Sequence, residues 1–507
     1  MQVRGAIAAG HDATARAGER ILASGGNAFD AALAAMCAAC VAEPVLCSLG
    51  GGGFLLARSG SRERVFDFFA QTPRTRAPDP TDFYPITADF GTATQEFHIG
   101  LGSVATPGIV RGLFEAHRAL GALPMREIVA PAIEIAREGV VLNPLQAYIF
   151  SIVAPIYLAT DSARAIFASP DAADRTFIAG ECMRQPALAD TLELLAIEGE
   201  RLFYEGEIGR LLTDACASQG GHLRRDDLER YRLVEREPLQ HSHRGTRLLT
   251  NPLPAAGGTL IALALGLIED VPRRGRFGED TELALLAHAM ERTQLARHWL
   301  EQTGSEKSTL AALRERLRQH APATRGTTHI SVIDGDGNAA SITLTNGEGC
   351  GWVIPGTGIM PNNMLGEADL NPLGFGRWRT DVRLASMMAP SLLVSRERIV
   401  ALGSGGSNRL RSAVLQVILN LLDHGLPPDA AVAAPRLHVE DGLLSLEPGF
   451  TPDAIAPLLA RFERHHQWND LNLFFGGVHT VAFDGREFSG AGDPRRGGVF
   501  RLAAGNA

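Results

Sequence analysis

Cysteine is scarce in this chain: six thiols among 507 residues cannot make a disulfide framework. Cys37 and Cys40 form a CxxC, but it lies inside the run Ala-Ala-Leu-Ala-Ala-Met-Cys-Ala-Ala-Cys. Small residues there suit close helix packing, and no second CxxC completes a zinc site. Core thiols are the expectation, with no metal cluster and no cofactor. Long apolar runs are also missing. The longest, Ala31 to Ala42, is too short to span a bilayer, so no membrane partner is expected. The opening Met-Gln-Val-Arg-Gly-Ala-Ile-Ala-Ala-Gly lacks the basic segment, apolar core and cleavage site of a secretory signal. A cytoplasmic protein is the expectation, periplasmic if a leader precedes this stretch. Basic clustering is absent too. The 48 Lys and Arg are scattered against 57 Asp and Glu, and the net charge of −9 excludes a nucleic-acid footprint.

What is present is enough apolar material, 45% against 21% charged, for a substantial core. At this length two domains or one large α/β unit is expected. Asp12 to Ser24 reads as an amphipathic helix closed by Gly25-Gly26, and Ala28 to Val41 as a tightly packed one. Gly50 to Gly53 precede a strand beginning at Phe54. Four glycines permit unusual backbone angles, a very close approach of another segment, or a merely flexible loop. No Gly-Lys-Ser/Thr or helix-opening GxGxxG accompanies them, so a phosphate cradle is not expected. Ile109 to Leu120 and Met125 to Glu138 read as helices entered at Pro107 and Pro124. Residues 140 to 245 read as mostly helical, and Ala321 to Gly326 as an exposed connector suited to processing.

Beyond the connector the apolar period switches to two. Thr327 to Ile333 and Ala339 to Thr345 read as strands around the hairpin signal Asp334-Gly335-Asp336-Gly337-Asn338. Both are apolar on much of both faces, which predicts a sheet covered on each side. A turn centred on Asp336 sets Thr327 opposite Thr345, with Cβ atoms about 4.5–5.5 Å apart. By itself that is a cross-strand threonine pair, common in any sheet. The preceding Gly326, however, makes little steric demand, so the Thr327 hydroxyl can attack its own preceding carbonyl. Hydrolysis of the ester would free the Thr327 α-amine, whose ordinary pKa of about 7.7–8.0 lets it serve as base for its own hydroxyl. An acyl-transfer site also needs donors for an oxyanion. Gly403-Ser404-Gly405-Gly406-Ser407, after a strand ending at Leu402, is a candidate, or else an ordinary strand-to-helix turn. Pro390 to Val394 reads as a further strand, and Arg411 to His424 as a helix.

The order Gly-Thr-Thr-His-Ile-Ser-Val-Ile-Asp-Gly-Asp-Gly-Asn-Ala from Gly326 resembles the start of the small subunit of γ-glutamyltranspeptidases. It is followed at similar spacing by Pro355-Gly356-Thr357-Gly358-Ile359, Asn362-Asn363, Ser386-Met387-Met388-Ala389-Pro390, Gly403-Ser404-Gly405-Gly406-Ser407 and Leu422-Asp423-His424-Gly425. Upstream, Gly25 to Ala32, Glu43-Pro44, the glycine run and Ser103 to Gly108 are similar to the large subunit. The resemblance implies an N-terminal nucleophile hydrolase fold: an αββα sandwich of two stacked, mainly antiparallel sheets between helical layers. Residues 1–326 and 327–507 would be the large- and small-subunit regions of one intertwined unit. It further implies cleavage between Gly326 and Thr327, Thr327 as nucleophile, Thr345 as the group orienting it, Gly405 and Gly406 as the oxyanion hole, and Asn346 as a substrate-binding asparagine.

The sequence departs from the family where the glutamyl head group is held. The usual Asp-Phe-Arg-Glu is Asp67-Phe68-Phe69-Ala70, with Phe69 in the place of the arginine that holds the α-carboxylate. Asn362-Asn363-Met364-Leu365-Gly366-Glu367 keeps an acid, Glu367, for the α-amine but has Met364 for its polar partner. Of the usual serine pair only Ser386 remains, after Ala385. Arg377, Arg379 and Arg383 are candidates for another carboxylate anchor, or else surface arginines. The expected substrate is a small γ-glutamyl or related amide such as glutathione, with an acceptor amine or water. Alternatives are an acylase of different specificity, or an uncleaved binding homologue, which Thr328 and His329 beside the cut site oppose. The assembly would be a monomer of two processed chains or a homodimer.

Overall fold

The computed structural model describes residues 3–78, 82–89, 94–269, 271, 275–303, 326–371, 374–406 and 409–505. The expected connector from 321 to 325 and Ser407 lie outside the described residues. Among the described residues no helix is long and apolar enough to cross a membrane.

Two sheets form the centre. The larger has seven strands in the order Val234–Arg236, Arg62–Phe68, Gly52–Ser59, Ala339–Thr345, Thr328–Asp334, Val3–Ala9 and Val499–Ala504. The second has six, in the order Leu239–His243, Thr246–Thr250, Ser391–Val394, Ile399–Gly405, Gly477–Phe483 and Phe488–Ala491. All their pairings are antiparallel. Phe54, Leu56, Ile333, Leu392, Ala401 and Val481 pack between the sheets. Outside the first sheet lie Asp12–Ala23, Ala28–Ala42 and Met125–Glu138; outside the second lie Ala256–Glu269 and Leu410–Leu422. This is the expected αββα sandwich. Segments from both sides of position 326 enter each sheet, and in the seven-stranded sheet they are interleaved, so neither side carries a complete core.

The hairpin at the centre has the expected register. Thr328 faces Leu344 and Ile333 faces Ala339, and every residue of both strands is buried. Asp334 closes the turn: Oδ1 accepts from the Asp336 and Asn338 amides, both at 3.0 Å, and Oδ2 from the Ala28 amide at 2.9 Å. That last bond places a carboxylate at the positive end of helix Ala28–Ala42. Asn27 and Asp30 close a capping box there, and all fifteen residues of the helix are buried. Its alanines let it lie flat on the hairpin, and Cys37 and Cys40 are core thiols.

The glycine run is neither a loose loop nor a left-handed segment. A Cβ on Gly51 would lie 2.3 Å from the Thr345 carbonyl oxygen, one on Gly52 2.7 Å from the Ala70 nitrogen, and one on Gly53 2.6 Å from the Thr343 carbonyl oxygen. These glycines let three chain segments meet behind Thr345. Two expectations need correction. The 140–245 stretch holds helices but also the strands Val234–Arg236 and Leu239–His243, whose alternating half-exposed residues lack an apolar signature. The strand expected to end at Leu402 runs to Gly405, because Gly403 to Gly405 continue pairing with Gly477 to His479.

Candidate active site

The hairpin end brings two hydroxyls onto one carbonyl. In the uncut chain Thr327 Oγ1 donates to the Gly326 carbonyl oxygen at 2.7 Å, and Thr345 Oγ1 donates to the same oxygen at 2.6 Å. Thr345 is aimed by the Gly347 amide, which donates to its Oγ1 at 3.0 Å. The Gly326 amide donates to Glu348 Oε1 at 2.6 Å, which fixes the other side of this glycine. All of these groups are buried, so each bond acts in a medium of low polarity. Such a carbonyl is polarised toward attack at its carbon, with the attacking oxygen already beside it.

The Gly-Ser-Gly-Gly segment has a steric explanation. A Cβ at Gly403 would come within 2.3 Å of the His329 ring, and one at Gly405 within 2.4 Å of the Thr327 carbonyl oxygen. The two sheets therefore close on each other at Thr327 only because these positions are glycine. Gly406 has φ +122°, a conformation that favours glycine, and it lines the same pocket as Thr327 and Thr345.

In the uncut chain that pocket has a cavity volume of about 20 Å³, room for little more than one water. Its wall includes Phe69, Met364, Glu367, Ser386 and Leu410. Phe69 is fully buried and stacks on Phe54 at 5.3 Å between ring centres. Glu367 is 2% exposed. The Ser386 hydroxyl oxygen accepts from the Met388 amide at 3.1 Å. No cationic side chain lines the pocket among the described residues.

Of the expected site residues, Thr327, Thr345, Gly406, Glu367 and Ser386 share this pocket, and Gly405 backs it. Asn346 does not line it. Its buried Nδ2 donates to the Met360 carbonyl at 3.3 Å, which ties down the loop beyond the hairpin, because lying directly after Thr345 turns it off the pocket face. The arginine anchors fail as well. Arg377 and Arg379 are exposed and away from the pocket wall. Arg383 lies 3.4 Å from Asp67, donates to the Arg232 carbonyl at 2.6 Å and bonds the Phe69 carbonyl and the Tyr231 hydroxyl.

Three neighbours escaped sequence reasoning. Gly347, at φ +64°, and Glu348 lie in the Asn-Gly-Glu-Gly tetrapeptide after Thr345, whose glycines were a usable turn signal. Arg496 is buried, and Nη1 reaches the Thr327 carbonyl at 3.4 Å. Desolvation, with Arg409 nearby, pushes its pKa down to about 10. Thr328 hydrogen-bonds Glu43 at 2.7 Å, and Thr14 bonds the other oxygen of that carboxylate. His329 is fully buried, and desolvation and His479 hold its pKa well below the ordinary value. Its Nδ1 and Nε2 are engaged by Thr343 and Ser331.

An αββα sandwich with a threonine at the head of a central strand defines an N-terminal nucleophile hydrolase. The structure superposes on the cephalosporin acylase of Bacillus halodurans with a TM-score of 0.85, at 25% identity, over 99% of this chain and 96% of that one. A family model described as "Gamma-glutamyltranspeptidase" matches residues 14–502, and this chain belongs to that family. It is 32% identical to the "Acylase ACY 1 proenzyme" of Pseudomonas sp. (strain V22), over 95% of this chain and 90% of that one. It is 30% identical to the "Glutathione hydrolase proenzyme" of Pseudomonas aeruginosa, over 98% and 94%. The chain is therefore a γ-glutamyltranspeptidase-like enzyme, related both to glutathione hydrolases and to acylases.

Proposed function

We propose that this enzyme cuts its own 326–327 bond and then hydrolyses or transfers γ-glutamyl-type amides through an ester on Thr327. The convergence of the Thr327 and Thr345 hydroxyls on the Gly326 carbonyl carries this reading. In the first step Thr327 Oγ1 bonds to the Gly326 carbonyl carbon, the C–N bond breaks, and the hydroxyl proton ends on the departing nitrogen. Water then cleaves the ester, leaving a Gly326 carboxylate and a free Thr327 amine. In turnover that amine takes the Oγ1 proton as the oxygen attacks the substrate carbonyl, and gives it to the leaving amine. Thr345 orients Oγ1, and Gly405 and Gly406 frame the oxyanion. Water or an acceptor amine releases the acyl group. A denaturing gel tests this: two bands are expected, the smaller beginning at Thr327, and a competent preparation with the bond intact would refute it.

Acyl preference follows from charge. With Phe69 on the wall and Arg383 committed elsewhere, an α-carboxylate finds no counter-ion in the pocket among the described residues, while Glu367 favours an amine. This supports the second reading, an acylase of altered specificity that grips the amine end of its acyl group. Among chromogenic anilides, 4-aminobutyryl is expected to give the highest kcat/KM, γ-glutamyl an intermediate value and glutaryl the lowest. The glutathione-type reading is favoured by Glu367, which can hold the α-amine of a γ-glutamyl group. Release from the γ-glutamyl anilide alone would return that reading.

A further inference from the structure

Far from Thr327 in sequence, the edge of the second sheet gathers a different set of groups. His241 and His243 lie two apart on the strand Leu239–His243 and therefore share a face. Helix Ala256–Glu269 packs against this strand and ends in Glu269. One ligand-capable atom from each of His241, His243 and Glu269 lies within 4.8 Å of the others.

The second observation is the environment of His243. This ring is 1% exposed, and its Nε2 is 2.6 Å from Asp423 Oδ1. Asp423 follows helix Leu410–Leu422 and is also approached by Arg244 at 3.5 Å. A carboxylate on Nε2 fixes the proton there and leaves the lone pair on Nδ1. That Nδ1 is buried and has no hydrogen-bond partner among the described residues. A carboxylate holding one imidazole nitrogen while the other is left open is the arrangement that orients histidine toward a metal.

We propose that His241, His243 and Glu269 form a divalent-metal site of the zinc type, with Asp423 as the carboxylate that orients His243. Two imidazoles and one carboxylate leave a fourth tetrahedral position for water. Ligand bonds of 2.0–2.2 Å require donors about 3.3 Å apart, so the trio must contract by about 1.5 Å at most. Glu269 is exposed at a helix end and can supply that movement. The site would staple helix Ala256–Glu269 to the sheet edge, with Asp423 at the end of helix Leu410–Leu422 held through His243. The competing reading, a helix end held to the strand by hydrogen bonds and charge alone, predicts no bound ion.

The test uses the full-length protein without a histidine tag, stripped with chelator and titrated with Co²⁺, then with Zn²⁺ in competition. One equivalent of Co²⁺ is expected to give the visible absorption of a four-coordinate ion, to be displaced by Zn²⁺, and to raise the melting temperature. His241→Gln and Glu269→Gln should weaken binding at least tenfold. Asp423→Asn should weaken it about 10–100-fold while leaving the ligands present. Because His243 is buried and its replacement can impair folding, the decision rests on His241→Gln and Glu269→Gln, checked for an unchanged gel pattern of processing. Absence of equimolar Co²⁺ binding in the unaltered protein, or equal affinity in both variants, overturns the proposal.

Discussion

Replacing Thr345 with valine removes one hydroxyl and almost no volume, so it isolates that group's share in self-cleavage. The lost bond is the 2.6 Å contact to the Gly326 carbonyl oxygen, on which negative charge grows as Thr327 attacks. A single preorganised oxyanion donor is worth about 10²–10³ in rate, or about 2.7–4 kcal/mol of barrier. A second cost falls on stability. The Gly347 amide, which donates to Thr345 Oγ1 at 3.0 Å, is left buried without that acceptor, a loss of about 1–3 kcal/mol. Processing is followed after refolding from denaturant by the decay of the 54.1 kDa band on gels. Thr345→Val should slow that decay at least a hundredfold, whereas Thr345→Ser, which keeps the donor, should stay within tenfold. Circular dichroism on the same samples separates slow chemistry from failed folding. A folded Thr345→Val protein that processes within threefold of the unaltered rate would refute the assignment.

Three further outcomes follow from the same geometry. Thr327→Ala should remain one band and show no anilide release, while Thr327→Ser should still cleave, more slowly. Phe69→Arg should raise the γ-glutamyl to 4-aminobutyryl ratio of kcat/KM at least tenfold, a comparison independent of how much protein folds. The third concerns pH. Desolvation holds the buried His479 down to about pKa 4, despite the opposing pull of Asp493, and its Nδ1 accepts from the Asp493 amide at 3.2 Å. Above pH 6.5 the ring is neutral folded or unfolded. Between about 6.5 and 4 only the unfolded chain takes up the proton, so stability falls with falling pH by up to about 3 kcal/mol. Urea midpoints measured across this window should drop less steeply in His479→Gln than in the unaltered protein, and equal slopes would exclude the histidine as the cause.

Local features of the sequence translated well into structure. The Asp-Gly-Asp-Gly-Asn turn and the apolar strands beside it set the hairpin register, and Thr327 and Thr345 at its open end both reach the Gly326 carbonyl, because a two-residue period and a turn centre leave little freedom. The glycine run was visible but its purpose was not: its function is defined by the carbonyls of Thr343 and Thr345, nearly 300 positions away. Arg496 left no trace, and His241-Ser242-His243 showed two histidines on one face but not their approach to Glu269, since that depends on which strands and helices become neighbours. Asn346 lies off the pocket face in the uncut chain because adjacency along a strand does not give a shared face; the side chain after Thr345 turns the other way.

Cleavage at 326–327 need not separate the chain, and sheet order explains why. Thr328–Asp334 is hydrogen-bonded to Ala339–Thr345 on one side and to Val3–Ala9 on the other, so the new terminus remains clamped by strands from both parts. Among the described residues, the bonds that Gly326 would surrender are its amide on Glu348 and its carbonyl under the two hydroxyls. Departure of that glycine empties the spot where a substrate carbonyl must sit to be attacked by the same oxygen. The uncut Gly326 carbonyl thus marks the scissile position, and the acyl chain attached to it must run toward Phe69, Met364 and Glu367 along the wall of the pocket. On the proposed mechanism, maturation and turnover are one reaction performed twice on the same oxygen, first on the chain itself and afterwards on an amide that takes its place.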